Sequence, residues 1–151
     1  SVLLQQDRLQ DAENIAWQSY DEKDFLKNDI QKSNIVYNYA FVCEKRGKVS
    51  TAKKLYIEAT ELNVDHIKAR LNLANIYMNE ENYSAAIECY KDICEKNPRS
   101  VEYKMFLANA FCSKLEFNLA KDVYEKIILE NSDFLDAYIE YSKLLSQLKL
   151  I

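Results

Sequence analysis

Glycine and proline are almost missing from this chain: its 151 residues hold one of each, Gly47 and Pro98. Short strands joined by tight turns need both, so an all-β architecture is excluded, as is a glycine loop that cradles phosphate. Histidine also occurs once, as His66 beside Asp65. No cysteine–histidine spacing or ligand cluster points to a metal, and no catalytic constellation survives, so no enzyme activity and no cofactor are expected. His66 itself reads as a solvated side chain in a turn. The cysteines Cys43, Cys89, Cys94 and Cys112 lack CxxC spacing and are too sparse for a disulfide-stapled secreted domain. They read as small apolar residues in a reducing compartment.

Charge of one sign is lacking too. The 24 acidic and 20 basic residues leave a net charge of −4 with no basic block, so no direct nucleic-acid binding is expected. No apolar run approaches the roughly 18–20 residues that span a bilayer, and the opening Ser1-Val2-Leu3-Leu4 runs straight into QQDRLQ, which is no signal sequence. The expected setting is soluble and intracellular, cytoplasmic or nuclear, with no membrane partner. One sequon, Asn82-Tyr83-Ser84, falls at a turn and carries little weight against that setting.

What remains is rich in Ala, Leu, Lys and Glu, which favours helix, and 48% hydrophobic residues suffice for a core. A first helix is expected from Val2 to about Tyr20, followed by a charged turn at 21–24, with Phe25 and Leu26 tucked back onto the core. From Ser33 the pattern becomes strict. Blocks that start at Ser33, Ile67, Val101 and Leu135 align without a gap at a period of 34 residues. Their eighth place holds Ala40, Ala74, Ala108 and Ser142, their twentieth Ala52, Ala86 and Ala120, and their twenty-fourth Tyr56, Tyr90 and Tyr124.

Packing explains the columns. Two antiparallel helices approach to about 8–10 Å only where side chains are small, and large neighbours such as Tyr39, Leu73, Leu107 and Tyr141 fill the space alongside. Helices are placed at 33–46, 49–62, 67–80, 83–96, 101–114, 117–130 and 135–149. Turns fall at Arg46-Gly47-Lys48, Glu80-Glu81-Asn82 and Lys114-Leu115-Glu116, and only the first contains the residue best suited to positive φ. Asn63, Asn97 and Asn131 read as left-handed helix stops.

These columns resemble the tetratricopeptide repeat family, over Ser33 to the end. Departures are the absence of Trp from the fourth place, Ala for Gly at the eighth, and Cys43 where an aromatic is usual. The resemblance implies an all-α fold, a right-handed α-α superhelix of antiparallel helix pairs. Domain boundaries follow: a segment 1–32 of uncertain register, then repeats 33–66, 67–100 and 101–134 and a partial repeat 135–151. An alternative resemblance is to the half-a-tetratricopeptide class of RNA-processing scaffolds, since Trp17/Tyr20 and Tyr138/Tyr141 both place an aromatic three residues before a Tyr.

The resemblance also implies a concave face lined by the first helix of each pair, and hence a protein-interaction scaffold that holds a partner peptide or helix. The lining residues would be Tyr37 and Phe41, then Lys68, Leu71, Asn72, Asn75 and Met78, then Met105 and Asn109, and last Ile139. A side-chain amide can donate to a peptide C=O and accept from its N–H, so these asparagines suit a backbone clamp, although they equally suit bonding between neighbouring helices. Family members that bind Hsp70 and Hsp90 C-terminal tails place basic residues at flanking sites that here hold Tyr37, Phe41, Glu102 and Phe106. Binding of such tails is therefore not expected. Leu144, Leu145, Leu148, Leu150 and Ile151 leave the last helix apolar, which suggests self-association or continuation into a longer repeat array.

Overall fold

The computed structural model describes the backbone of residues 2–149 and the side chains of residues 5–149. Among these, helices α1 (Val2–Asp21), α2 (Asp29–Lys45), α3 (Val49–Leu62), α4 (Ile67–Asn79), α5 (Tyr83–Lys96), α6 (Val101–Ser113), α7 (Phe117–Glu130) and α8 (Leu135–Lys149) follow one another, with a 3-10 turn at Lys23–Phe25. No strand occurs among the described residues. The chain falls into two units, one ending at Ile76 and the other beginning at Tyr77. In the first, α2 packs on α1 and on α3; in the second, α6 packs on α5 and α7, and α7 on α8.

The repeat columns are the core of each unit. Ala40, Ala52, Tyr56, Ala59 and Ala74 have no exposed surface in the first unit, nor do Ala86, Ile93, Ala108, Ala120 and Ile127 in the second. Tyr90 and Tyr124 are buried beside them. Ser142 breaks its column: it is exposed, whereas the three alanines of the same place are buried.

Both kinds of turn repeat every 34 residues. Gly47, Glu81 and Leu115 all adopt positive φ, 76°, 59° and 64°. The N–H of the next residue bonds to the carbonyl five residues back, Lys48 to Cys43, Asn82 to Tyr77 and Glu116 to Phe111, each at 2.9 Å. This is the Schellman arrangement, which uses the orphan carbonyls of the helix end and requires a left-handed residue just past the cap. Asn63, Asn97 and Asn131 do otherwise. Their φ values of −142°, −131° and −142° are negative, not left-handed as expected. Asn97 and Asn131 stop their helices by donating Nδ2 to the carbonyls of Ile93 and Ile127, at 3.1 and 3.4 Å.

Two further expectations are corrected. The second helix begins at Asp29, not Ser33, because Asn28 caps it by accepting from the amides of Ile30 and Gln31 at 2.9 and 3.1 Å. Phe25 does not tuck onto the core; it is 88% exposed. Tyr20 does that work instead, with its ring 5.2 Å from Tyr39 and its hydroxyl donating to Glu58 at 2.8 Å. Leu144 is buried within its own unit and Leu145 and Leu148 are half-buried; Leu150 and Ile151, also among the apolar residues of the last segment, lie outside the described residues.

Candidate protein-binding face

Helical spacing puts the expected lining residues on shared stripes. Tyr37 and Phe41 are four apart on α2, and Lys68, Leu71, Asn72 and Asn75 stand at i, i+3, i+4 and i+7 on α4. The Tyr37 ring lies 6.3 Å from Phe41, 5.9 Å from Tyr56 and 4.9 Å from His66. Phe41 is 40% exposed, and the Lys45 ammonium sits 5.0 Å over its ring. Lys68 and Asn75 are exposed, and Leu71 and Asn72 are half-buried.

A hydrogen-bond chain fixes part of this face. Tyr56 donates its hydroxyl to Glu44 at 2.6 Å and accepts from Asn72 Nδ2 at 2.9 Å. The direction is forced: an ionised carboxylate only accepts, so the phenol must donate to it, and the Asn72 amide must then present its nitrogen to the phenol. Asn72 Oδ1 is the half of the amide left for other partners. Burial, with the Glu44 carboxylate adding to it, pushes the Tyr56 hydroxyl well above the usual tyrosine range.

In the second unit, Tyr124 donates to Asn109 Oδ1 at 2.7 Å, and the Asn109 amide is otherwise exposed on α6. Its Nδ2 donors are thus left on the solvent side. Met105, one turn earlier on α6, and Met78 are half-buried, and Ile139 on α8 is 41% exposed. Phe106 stacks on Tyr90 at 5.8 Å. The first-helix face of each unit is therefore apolar and amide-bearing, and a second-helix tyrosine sets the orientation of an amide in each, Tyr56 that of Asn72 and Tyr124 that of Asn109. Sequence reasoning read those tyrosines as packing alone. Their signal was the choice of Tyr over Phe three times at a buried place, since a buried phenol needs a partner for its hydroxyl.

His66 also departs from expectation. It is not solvated but 9% exposed, and its Nδ1 accepts from the Ala69 amide at 3.2 Å, which makes it the N-cap of α4. Nε2 is buried with no hydrogen-bond partner. Burial holds the imidazole below the ordinary histidine range. Among the described residues no group of three or more His, Cys, Asp or Glu could hold a metal ion, and the four thiols are free. No described helix is long and apolar enough to cross a membrane.

The tetratricopeptide repeat family model matches residues 33–110, more than half of the chain. The chain belongs to the tetratricopeptide repeat family. No curated protein sequence matches it. Among solved structures, MamA (AMB-1) aligns with a TM-score of 0.76 at 17% identity, over 96% of this chain and 76% of that one. Repeats of a putative kinesin light chain from Podospora anserina align at 0.74 and 15% identity, over 97% and 87%. The first repeat domain of Spaghetti (RPAP3), bound to the HSP90 peptide SRMEEVD, aligns at 0.67 and 18% identity, over 79% and 94%. At these identities the likeness shows the fold, an all-α tetratricopeptide array. That family fold suggests a scaffold for protein–protein interaction, and the RNA-processing alternative finds no support in these matches.

Proposed function

We propose that this tetratricopeptide chain is a non-enzymatic intracellular scaffold of a multiprotein assembly, which holds a partner peptide or helix on the first-helix faces of its two units. The observation that carries the reading is Asn109: an exposed amide fixed by a buried tyrosine hydroxyl, Nδ2 left to solvent, one turn from a half-buried methionine. An amide that is already oriented loses less freedom on binding, and an adaptable Met beside it supplies apolar contact. In the first unit, Asn72 offers an acceptor beside Leu71 in the same manner. These residues, with Tyr37, Phe41, Lys68, Asn75, Met78 and Ile139, form the proposed binding set.

Asn109→Ala should weaken partner binding by roughly 1–3 kcal/mol with little change in melting, because its one internal bond is to a hydroxyl that retains other neighbours. Unfolding without a binding defect would instead mark the asparagine as purely structural. The HSP90 tail bound by Spaghetti is not the proposed ligand. The places that would pair with its carboxylates hold Tyr37, Phe41, Glu102 and Phe106, which carry no positive charge.

A further inference from the structure

Two helices, α1 and α8, carry the residue columns of half a helix pair each, and the halves are opposite. In the intact pairs, α3 covers α2 and α7 covers α6. Under that cover the eighth-place Ala40 and Ala108 have no exposed surface, and Val36 and Lys104, one turn earlier, are buried. α8 has the same first-helix places but no described second helix on them. Ser142 and Tyr138 are exposed, and Leu135 is 67% exposed where Ser33 is buried and Val101 half-buried.

α1 is the second-helix half. Ala16 and Tyr20 stand four apart, as do Ala52 and Tyr56, Ala86 and Tyr90, and Ala120 and Tyr124. The following helix receives the tyrosine alike: the Tyr20 ring lies 5.2 Å from Tyr39 and the Tyr124 ring 6.3 Å from Tyr141, both partners at the seventh place of a block. In the intact pairs the tyrosine hydroxyl turns to its own first helix, Tyr56 to Glu44 and Tyr124 to Asn109. Tyr20 donates to Glu58 on α3 instead. It and Ala16 stay half-buried where Ala52, Tyr56, Ala120 and Tyr124 are buried, and Ser19, which precedes Tyr20 as the buried Leu55 precedes Tyr56, is exposed.

The chain thus shows, in α2–α3 and α6–α7, what covers each of these faces: the other kind of helix. We propose that α8 of one copy packs antiparallel on α1 of a second copy and completes a helix pair between chains, with Ser142 in the place of Ala108 and Ala16 in that of Ala120. Both side chains are small, which permits the close approach of the intact pairs. The contact is heterologous. Each dimer keeps one uncovered α1 and one uncovered α8, so association continues into a ring or an open array.

The experiment follows sedimentation velocity of the full chain from low to high micromolar concentration, with two variants at exposed positions, Ser142→Lys on α8 and Ser19→Lys on α1. The parent chain is expected to form dimers and then larger species as concentration rises. Each variant alone should need at least about tenfold more protein to associate, at unchanged circular dichroism, because its ammonium would be buried unpaired in the contact. Mixed in equal amounts, the two should form dimers and nothing larger, since the intact α8 of Ser19→Lys copies fits the intact α1 of Ser142→Lys copies. Ser142→Ala, which restores the column alanine, should lower the concentration needed. A parent chain that stays monomeric, association that Ser142→Lys abolishes and Ser19→Lys leaves unchanged, as pairing of α8 with α8 would give, or a mixture that does not dimerise would overturn the proposal.

Discussion

At the scale of one residue, His66 is the group through which acid reaches the binding face. Its neutral form gives Nδ1 to the Ala69 amide and so caps α4, the helix that carries Leu71 and Asn72. Protonation places a hydrogen on that nitrogen and a cation at a helix N-terminus, both unfavourable. Burial holds the folded imidazole low, a backbone hydrogen bond of its own residue opposes that, and the Lys68 charge adds to it, while Tyr37 contributes only a ring face. Because the folded pKa is depressed, the unfolded chain takes up the proton first. Stability is therefore complete at neutral pH and is lost as pH falls below about 6.5, the ordinary histidine value, down through the folded pKa. Thermal melts should show a loss of about 1 kcal/mol in this step, the worth of an N-cap, and His66→Ser, which keeps a cap without titrating, should abolish it. An unchanged acid step in His66→Ser would assign it to the carboxylates.

At the scale of the element, the helix-ending turns carry the same backbone three times with unequal residues. Gly47 meets positive φ without strain, and a Cβ there would touch nothing within 4 Å, so replacing it tests the backbone alone. Gly47→Ala should cost about 1 kcal/mol, whereas Leu115→Gly should stabilise by a similar amount, since a branched side chain is held left-handed and 71% exposed. Opposite shifts in melting temperature check the pair. The packed helices give a sharper contrast. Ala86→Leu should overpack α5 at about 1–3 kcal/mol, and Tyr90→Ala, which removes a buried ring, should cost roughly 3–5 kcal/mol. Unaltered melting in both would contradict the burial of these columns.

At the scale of the whole molecule, the period of 34 made the helices legible. The bounds of α3, α5, α7 and α8 follow directly from the block alignment, because the alanine and tyrosine columns fix which residues face inward. Illegible were the features that depend on one side chain reaching another across the fold. Nothing in the local sequence distinguishes a solvated His66 from one that stacks on Tyr37, 29 positions earlier. Nor does Asn72 declare in sequence that its nitrogen is committed to Tyr56. The start of α2 was legible after all, since Asn28-Asp29 is a cap signal, but the strict repeat beginning at Ser33 drew the boundary to itself. As a whole the molecule should also ignore the chaperone tail: calorimetry with an EEVD peptide is expected to show no heat of binding, and micromolar affinity would mean that the missing basic residues are not required.

The most direct measurement places a photoreactive benzophenone side chain at Leu71 or at Met105, one on each unit, and at Lys54 on the exposed side of α3 as a control, then irradiates the full chain in extract of its native source. Crosslinking of the same protein from positions 71 and 105, but not from 54, is the predicted result. Crosslinks from 54 alone, or to unrelated proteins from every position, would contradict binding at the first-helix faces.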